Sequence, residues 1–465
     1  MNNIEISDSN IVISDSNIVN TDDSMIWNIE NDLVGSALYG YTPSWKQYVL
    51  SIDRRSFSKD KVLILDMDWT IICPKSGRPR PKDIEDWRFR YPVELIRTKL
   101  QSMMEQGYII GLISNQSKIL KKKPQQGKNK SKPSKSRPSK SKPNKQISVE
   151  DFKLKVESIV QQLGLPLYFS AALEKGFYRK PRTGMWDLFI RESKILNNKI
   201  DKKNSLFIGD AAGRKRYRYH KKDFSSSDWK FALNIGIDFQ VPEVFFENSK
   251  AKIHNDLSMR DIGFESRKFI DERQSNTRMT KVKDKVKDKL TNQDWKKCHI
   301  IMVGSPGSGK STVTQKILNS HRIVSFDNKE TSTKTKSKKV ITDILIQHGF
   351  VVIDNTNAQP KDRQYWIDTI SNIYQKLTTK KSIDINSIRP CFKCIWVNTP
   401  KEMALHMNTF RSLLKQKTIP AVAVHAYFKR FGPPSMAEGF NEILELDFIP
   451  DFENKKHEKL CKTYL

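Results

Sequence analysis

A glycine-rich loop in the last third of the chain has the residue types that bind a nucleoside triphosphate. It follows an apolar run at 299–303 and precedes a segment of helical character at 313–318, which is the context that a phosphate-binding loop requires. Its glycines let backbone N–H groups face phosphate oxygens, and the helix N-terminus adds its positive dipole end. Lys310 would reach the outer phosphates and Ser311 would hold Mg²⁺. The alternative is a glycine-rich turn without a nucleotide. The predicted ATP-binding residues are Gly304, Ser305, Pro306, Gly307, Ser308, Gly309, Lys310, Ser311 and Thr312.

Polar side chains in the first half of the chain follow the apolar runs at 61–65, 108–113 and 205–208, each of which predicts a buried strand. Ligands bind beyond the carboxyl ends of strands in open α/β sheets, so we expect these side chains to meet. Adjacent carboxylates repel each other unless a divalent cation neutralises them, which indicates a metal site rather than an acidic surface turn. The residues are Asp66, Asp68 and Thr70 after the first run, Ser114 and Asn115 after the second, Asp210 after the third, and Lys180 in a basic loop.

Two further acids, Asp223 and Asp228, follow this group in the sequence and are candidates to join it. For Asp228 a structural role is equally open, because it precedes a segment of helical character at 229–233 and would serve as its N-cap.

Three residues beyond the glycine-rich loop are candidates for phosphoryl transfer. Asp327 ends a predicted strand at 323–326 and would accept the proton of an attacking hydroxyl. Asp354 ends the next predicted strand and would help to hold Mg²⁺. Arg411 lies in a predicted helix, where it would stabilise the transferring phosphoryl group, although a solvated surface arginine is the alternative.

The composition favours a polyanionic partner. The chain has 465 residues and a formal net charge of +30, which suits nucleic acid through counterion release, with an anionic membrane surface as the alternative. No apolar run approaches the length of a membrane span. The five cysteines predict no disulfide framework and therefore a reducing compartment. We interpret the Cys391 to Cys394 spacing as part of a strand rather than as a zinc site.

Composition and patterning predict two globular α/β domains separated by polar segments. The stretch 117–146 holds eleven Lys and one Arg with no acidic residue. It is predicted to be a disordered insertion, serving as a nucleic-acid arm or nuclear import signal, or else as a low-complexity expansion with no dedicated role. The predicted boundaries are a disordered or variable segment at 1–44, a first domain at 45–250, a linker at 251–295, a second domain at 296–450 and a tail at 451–465.

The order Asp-x-Asp-x-Thr, Ser, Lys and Gly-Asp at successive strand ends resembles the haloacid dehalogenase superfamily. With this layout, Asp66 would be the nucleophile that forms an aspartyl-phosphate, and Asp68 would be the general acid and then the base. Mg²⁺ would be held by Asp66, by Asp210 and through the backbone carbonyl near Asp68. The phosphoryl oxygens would be bound by Thr70, Ser114, Asn115 and Lys180.

From about residue 45 to about residue 448, the chain resembles the bifunctional polynucleotide kinase 3′-phosphatases of DNA end repair. The resemblance implies two doubly wound parallel-sheet domains, a haloacid-dehalogenase-like (HAD-like) phosphatase followed by a P-loop kinase. It implies Mg²⁺-dependent removal of 3′-phosphates and ATP-dependent phosphorylation of 5′-hydroxyls. It also implies that Asp327 is the kinase base and that Lys310, Ser311 and Arg411 serve ATP and the transition state. Beyond the two signatures, the resemblance rests on 178–187, 207–214, 221–224, 353–357 and 437–440.

The chain departs from the pattern of this family at three positions and at its N-terminus. Trp69 stands where the family usually has Gly, Phe326 stands where an Arg is common, and Thr409 replaces one of two lid arginines. The N-terminal segment is too short and too polar for the forkhead-associated domain of animal members. Recruitment to phosphorylated scaffold proteins is therefore not expected.

The expected partners are DNA strand-break ends and ATP, with RNA ends as an alternative substrate, and we expect a monomer with no membrane contact. The nearest rival function is an RNA end-healing kinase and phosphatase. A second rival, a DNA-binding scaffold without catalysis, is disfavoured by the intact Asp66, Lys180 and Lys310. The basic insertion favours the nucleus, although a cytoplasmic site of DNA replication or repair would have the same composition.

Overall fold

The chain forms two compact units, Met1–Arg260 and Asp261–Leu465, in a computed structural model. In the described part of the chain, no helix has the length and apolar character of a transmembrane span. The structure describes residues 23–32, 35–52, 59–116, 119, 147–195, 199–275, 295, 297–317, 322–325, 333–379, 390–414, 416, 419–448 and 452–465.

A seven-stranded sheet forms the centre of the first unit. Its strands are β1 (Ile26–Asp32), β2 (Gly35–Tyr41), β3 (Lys61–Leu65), β6 (Tyr108–Asn115), β7 (Tyr168–Ala172), β8 (Leu206–Ile208) and β9 (Asp238–Gln240), and a separate small sheet pairs β4 (Ile72–Cys73) with β5 (Arg88–Phe89). The order in the large sheet is β1-β2-β7-β6-β3-β8-β9. The five strands from β7 to β9 are mutually parallel, whereas β1 and β2 are antiparallel to their neighbours.

Helices cover both faces of this sheet. Successive residues of a strand point to opposite faces, and Leu63 and Leu65 accordingly lie in one apolar cluster while Val62 and Ile64 lie in another. The predicted doubly wound fold is therefore confirmed for this unit. The helices are α1 (Pro43–Ser51), α2 (Val93–Glu105), α3 (Val149–Leu163), α4 (Gly184–Ser193), α5 (Ser227–Ile235), α6 (Pro242–Glu247) and α7 (Lys252–Asn255), followed by a 3-10 turn at Leu257–Met259.

The N-terminal hairpin β1–β2 corrects the prediction that residues 1–44 are disordered or variable. The interior of β2 is buried, and Trp27 packs edge-on against Phe169 of β7 with ring centroids 6.0 Å apart. The hairpin thereby covers an edge of the parallel sheet that would otherwise expose unpaired backbone groups. Residues 1–22, the first half of that segment, lie outside the described residues.

The second unit contains a five-stranded parallel sheet. Its strands are β10 (His299–Val303), β11 (Arg322–Ser325), β12 (Val351–Asp354), β13 (Phe392–Asn398) and β14 (Glu442–Asp447). The order is β11-β12-β10-β13-β14, and every neighbouring pair is parallel. Ile301 and Val303 lie in one apolar cluster and Ile300 and Met302 in another, so this sheet is also covered on both faces.

The helices of the second unit include elements at both ends that were predicted to be linker or tail. They are α8 (Ser266–Ser275), α9 (Lys310–Ile317), α10 (Lys334–His348), α11 (Pro360–Thr379), α12 (Lys401–Leu413), α13 (Ala421–Arg430) and α14 (Lys455–Cys461), with a 3-10 turn at Met436–Glu438.

The predicted linker at 251–295 and tail at 451–465 are wrong where the structure describes them. Ile270 of α8 and Cys461 of α14 share a buried cluster with Phe410 of α12. His406 of α12 also lies 2.7 Å from the Cys461 carbonyl, measured from Nε2 to O. The two segments escaped prediction because each is short and rich in charge. Residues 276–294 lie outside the described part.

A disulfide joins Cys298 and Cys391, which stand just before β10 and β13 and have Cα atoms 4.8 Å apart. This bond differs from the expectation of reduced cysteines, because spacing in the sequence does not reveal which cysteines meet in the fold. Cys394 is buried within β13, and the interpretation of that segment as a strand is confirmed.

Candidate active sites

The first site lies at the carboxyl edge of the first unit's sheet. Asp66 directly follows β3, and β3 lies between β6 and β8. The Asp66 N–H donates to the Ile208 carbonyl at 2.8 Å, which fixes the end of β3 against the end of β8. The residues that follow these three strands therefore meet, as the sequence predicted.

Lys180 occupies the centre of this site and is 3% exposed. Its ammonium donates to Asp66, lies 2.9 Å from Asp228 Oδ1 and donates to the Ile113 carbonyl at 3.0 Å. Burial lowers the pKa of Lys180, but Asp228 and Asp66 outweigh burial and raise it, so the side chain is a permanent cation. A fixed positive charge beside a carboxylate suits the binding of a phosphoryl group.

Three carboxylates surround that single ammonium. Asp66, Asp210 and Asp228 each offer an oxygen, and the three oxygens lie within 4.8 Å of one another. Desolvation raises the pKa of both Asp66 and Asp210, and repulsion from Asp228 raises it further, against the opposing effect of Lys180. When ionised, three carboxylates beside one lysine carry an excess of negative charge, and their mutual repulsion is one cause of the raised pKa values. Oxygen ligands with such an excess fit a hard divalent cation such as Mg²⁺.

Asp228 is the ligand candidate that sequence reasoning did not place in the metal set. It lies inside the first turn of α5, whose N-cap is Ser226, so the N-cap interpretation of Asp228 is wrong. Its Oδ2 accepts from the Ala211 N–H at 3.1 Å. A Cβ atom on Gly209 would lie 2.5 Å from that same oxygen, so the glycine makes room for the carboxylate. The signal in the sequence was an acid shortly after Asp210 and at the start of a segment of helical character, which left Asp228 as a candidate for the site or for the N-cap.

Asp68 lies beside the three-carboxylate cluster rather than in it. Its Oδ2 accepts a hydrogen bond from Gln116 Nε2, which also donates to Ser114 Oγ at 2.9 Å. Because the Asp68 side chain is held by the Gln116 amide, the predicted metal role of this residue falls to its backbone carbonyl. Thr70 is fully buried, and its hydroxyl has no hydrogen-bond partner among the described residues. A phosphoryl oxygen would satisfy it.

Asn115 has a different role from the predicted phosphate contact. Its Oδ1 accepts from the Lys180 N–H at 2.9 Å, and its Nδ2 donates to the Lys180 carbonyl at 3.2 Å. Both ends of the amide are thus used to hold the backbone of another site residue. The structure assigns Asn115 to the positioning of Lys180.

An ionic bridge on the other side of the site connects the two loops that carry its carboxylates. Arg90 donates to the Trp69 carbonyl and, at 2.7 Å, to Glu243 Oε1. Arg214 donates to Asp210 O at 3.1 Å and to Glu243 Oε2 at 3.2 Å. Glu243 therefore binds both Arg90 and Arg214. Arg90 in turn binds the backbone of the loop after β3, and Arg214 binds the backbone of the loop after β8.

The second site surrounds the glycine-rich loop between β10 and α9. Gly307 has φ +83°, and a Cβ atom there would lie 2.6 Å from the Ala404 carbonyl of α12. A side chain on Gly304 would lie 2.7 Å from Ser308 Oγ. The hydroxyls of Ser305 and Ser308 are buried without a hydrogen-bond partner among the described residues. This loop geometry is that of a phosphate cradle, as predicted.

The functional side chains of the loop point back onto it and toward β12. Lys310 Nζ donates to the carbonyls of Gly304 and Ser305, each at 2.8 Å. Ser311 Oγ donates to Asp354 Oδ2 at 3.2 Å, at the end of β12. This pairing brings together a hydroxyl and a carboxylate, two oxygen ligands suited to Mg²⁺ at a triphosphate.

The remaining predicted residues of the second site lie partly outside the described residues and partly on the loop and its neighbouring helices. Asp327 and Phe326 lie outside the described residues. Arg411 lies in the last turn of α12, the helix whose Ala404 carbonyl would lie 2.6 Å from a Cβ atom on Gly307. Pro306 and Thr312 lie at the loop and in the first turn of α9, and both are at least partly exposed.

Sequence reasoning missed Arg363, which is fully buried in α11. Its guanidinium makes two 2.7 Å hydrogen bonds to the Glu438 carboxylate and donates to the Asn357 carbonyl at 3.0 Å. Asn357 in turn donates to Met302 O of β10 at 2.8 Å. Arg363 thereby connects the segment after β12 to the 3-10 turn at Met436–Glu438. Two motifs noted in the sequence, 353–357 and 437–440, flank this contact.

Two family matches agree with the two units. The family described as Polynucleotide kinase 3 phosphatase matches residues 61–246, which contain all the carboxylates of the first site. The NB-ARC domain family matches residues 279–385, which contain the glycine-rich loop.

Two relatives align over most of the chain. The bifunctional polynucleotide phosphatase/kinase of Schizosaccharomyces pombe is 30% identical over 397 residues, 85% of this chain and 82% of the relative. The chain belongs to the bifunctional polynucleotide phosphatase/kinase family. A provisionally named member from Acanthamoeba polyphaga mimivirus is also 30% identical, over 84% of this chain and 85% of its own length.

More distant similarities cover single parts of this family member. The polynucleotide 3′-phosphatase of Saccharomyces cerevisiae is 39% identical over 74 residues, 15% of this chain and 29% of that protein. The crystal structure of a fungal RNA kinase aligns with 36% of this chain and with 83% of its own, at 17% identity and a TM-score of 0.25.

Proposed function

We propose that this chain prepares DNA strand breaks for ligation by removing 3′-phosphates in the first unit and phosphorylating 5′-hydroxyls with ATP in the second. The observation that carries the proposal is the Asp66, Asp210 and Asp228 cluster around Lys180, a site suited to a metal and a phosphoryl group. The phosphate cradle at Lys310 supports the second activity.

In the phosphatase reaction, a carboxylate oxygen of Asp66 attacks phosphorus and the bond to the 3′-oxygen breaks. Asp68 gives a proton to the departing 3′-oxygen, then takes one from the water that hydrolyses the aspartyl-phosphate. Gln116 holds Asp68 for both transfers. Lys180 stabilises negative charge on the phosphoryl oxygens. Mg²⁺, held by the three carboxylates, would screen their charge and orient the phosphate.

In the kinase reaction, the glycine-rich loop binds the phosphates of ATP, and Lys310 turns from the loop carbonyls to the outer phosphates. Ser311 and Asp354 supply oxygen ligands for Mg²⁺. Asp327 removes the proton from the 5′-hydroxyl as its oxygen attacks the terminal phosphorus, and Arg411 stabilises the transferring group.

DNA is the proposed substrate, with RNA ends as the alternative. The net charge of +30 would be of little use for a small metabolite, whereas it suits a polynucleotide. We propose that the enzyme acts as a monomer in the nucleus, with the basic stretch 117–146 as its import signal. Loss of nuclear accumulation of a fluorescent fusion after replacement of that stretch by a neutral linker is the expected result.

The deciding experiment uses a nicked DNA duplex with a 3′-phosphate and a 5′-hydroxyl, with Mg²⁺ and with or without ATP. Asp66→Asn should lose only phosphate release, and Lys310→Ala should lose only 5′-phosphorylation. Activity of the wild type on a matched RNA nick but not on DNA would change the proposed substrate. Inactivity on both would overturn the proposed function.

A further inference from the structure

One side chain joins the two ends of the segment between helices α12 and α13 of the second unit. Asn408 of α12 donates from Nδ2 to the Ile419 carbonyl at 2.6 Å, and its Oδ1 accepts from the Ile419 N–H at 3.0 Å. Ile419 stands directly before Pro420, the N-cap of α13. The Asn408 amide therefore binds both backbone polar groups of the residue that leads into α13, eleven positions along the chain.

The first half of α12 lies against the glycine-rich loop. Thr399, just before the helix, is buried, and its hydroxyl donates to the Ser308 carbonyl at 3.0 Å. A Cβ atom on Gly307 would lie 2.6 Å from the Ala404 carbonyl and 3.7 Å from the Asn408 backbone nitrogen. The helix is therefore beside the loop from its start to Asn408, the residue whose side chain binds the segment that leads into α13.

Arg411 lies just beyond this contact, in the last turn of α12. It is three residues after Asn408, which corresponds to a rise of about 4.5 Å along the helix axis. Its carbonyl accepts from the Leu414 N–H at 3.1 Å and from the Gln416 N–H at 3.0 Å, where the helix ends. Helix ends fray unless other contacts hold them. Because Arg411 lies within the segment whose ends Asn408 and Ile419 join, their contact limits the movement of this last turn.

We propose that Asn408 is a positioning residue of the kinase site, which holds the last turn of α12 and thereby the guanidinium of Arg411 beside the glycine-rich loop. A group that stabilises a transferring phosphoryl group loses much of its effect when it is misplaced by about 1 Å. Asn408 uses both ends of its amide to bind Ile419, so it acts through Arg411 rather than on the substrate. The inference rests on the proposed role of Arg411 in the kinase reaction and adds the residue that positions it.

The kinetic test measures 5′-phosphorylation of a DNA oligonucleotide by the full chain and by Asn408→Ala, Arg411→Ala and the double variant. Asn408→Ala should lower kcat roughly 10-fold, because Arg411 is no longer held in place. The KM for ATP should stay within about 2-fold of the wild type, since the backbone of α12 beside the loop is unchanged. The double variant should be no slower than Arg411→Ala, because residues that act as a unit have non-additive effects.

Two further variants complete the kinetic test. Asn408→Asp has the same size and keeps the acceptor for the Ile419 N–H, but its carboxylate cannot donate to the Ile419 carbonyl, so its kcat should fall as well without a cavity being left. Gln364→Ala removes an exposed amide that is bonded to Asp368 within α11, and this control should match the wild type. Retained affinity for a fluorescent ATP analogue shows that each variant is folded.

A residue that only stabilises the turn would give a different result. The double variant would then be slower than Arg411→Ala by the same factor by which Asn408→Ala is slower than the wild type, and the positioning role would be overturned. An unchanged kcat in both Asn408 variants beside an impaired Arg411→Ala would also overturn it. If Arg411→Ala matched the wild type, the proposed role of Arg411 would be wrong and the positioning role with it.

A measurement that needs no turnover separates failure of this inference from failure of the proposed function. Hydrogen–deuterium exchange at the Ile419 N–H should be faster in Asn408→Ala than in the wild type, because the acceptor of this group is lost. Equal exchange in the two proteins would overturn the inference while the kinase assignment stands. Absence of 5′-phosphorylation by the wild type, with exchange that still depends on Asn408, would overturn the proposed function and support the hold of Asn408 on this segment.

Discussion

Asn115 uses both ends of its side-chain amide to bind the backbone of Lys180, at 2.9 Å and 3.2 Å. The two residues are 65 positions apart in the sequence. Asn115 is the last residue of β6, so this contact fixes the loop that carries the Lys180 ammonium to the sheet. The neutral Asn115 side chain therefore positions the Lys180 charge that stabilises the phosphoryl group, and it need not contact the substrate itself.

Asn115→Ala should lower kcat/KM for 3′-phosphate release roughly 10- to 100-fold. The change removes two hydrogen bonds, each with a net contribution of about 1 kcal/mol, and leaves the Lys180 backbone unheld. Release of phosphate from a 3′-phosphorylated oligonucleotide measures the effect. The 5′-kinase activity of the same preparation, which depends on the other unit, should be unchanged. An unaltered kcat/KM would show that Lys180 is held without Asn115.

The side chain of Asp228, rather than that of Asp68, is predicted to bind Mg²⁺. Asp228→Asn keeps an oxygen for the Ala211 N–H but removes a charge from the cluster, so the Mg²⁺ concentration for half-maximal phosphatase activity should rise about 10-fold or more. Asp68→Asn should abolish turnover at every Mg²⁺ concentration, because the proton donor is lost. Mg²⁺ titration of both variants distinguishes the roles, and an unshifted Asp228→Asn curve would contradict the assignment.

The Glu243 bridge should make the stability of the first unit depend on acid pH. Burial opposes ionisation of Glu243, but Arg90 and Arg214 outweigh it and lower its pKa from 4.5 to about 2. A carboxyl with a depressed folded-state pKa stabilises the fold above its unfolded pKa, and the contribution disappears as pH falls through the folded pKa. Glu243→Gln should therefore cost on the order of 3 kcal/mol of unfolding free energy near neutral pH.

The difference in unfolding free energy between wild type and Glu243→Gln should shrink as pH falls from about 4.5 toward 2. Urea unfolding of the two proteins across this range is the measurement. Glu105→Gln, at an exposed position at the end of α2, should show no such pH-dependent difference. If Glu243→Gln lowered the unfolding free energy by the same amount at every pH, the destabilisation would come from lost packing rather than from lost charge.

The sequence predicted the parts of the fold that depend on local pattern. The apolar runs that became β3, β6 and β10 and the polar residues after them identified both sites. It did not predict the β1–β2 hairpin, because the burial of Trp27 against Phe169 depends on a strand far along the chain. For the same reason Glu243 was missed as a site residue, and the choice between the site and an N-cap stayed open for Asp228, since their partners come from several separate segments.

Trp69 illustrates a different limit. Trp69 stands where the family usually has Gly, and the structure shows why Gly suits the position: Trp69 has φ +60°. A residue with a Cβ atom in this left-handed conformation is disfavoured by about 1–2 kcal/mol. The Trp69 carbonyl is held by Arg90, a contact that no local pattern reveals.

Gly307→Ala should impair the kinase more than Gly309→Ala. Both glycines have positive φ, +83° and +95°, so the two substitutions share the backbone strain of a Cβ atom in that region. Only at Gly307 would the new methyl group meet a neighbour, the Ala404 carbonyl at 2.6 Å, whereas nothing lies within 4 Å of a Cβ atom on Gly309. Gly307→Ala must therefore displace α12 or the loop, and ATP affinity should fall roughly 10-fold further than for Gly309→Ala. Titration with a fluorescent ATP analogue measures this difference, with 3′-phosphatase activity as the internal control. Equal affinities in the two variants would mean that the approach of α12 to the loop is not maintained when nucleotide binds.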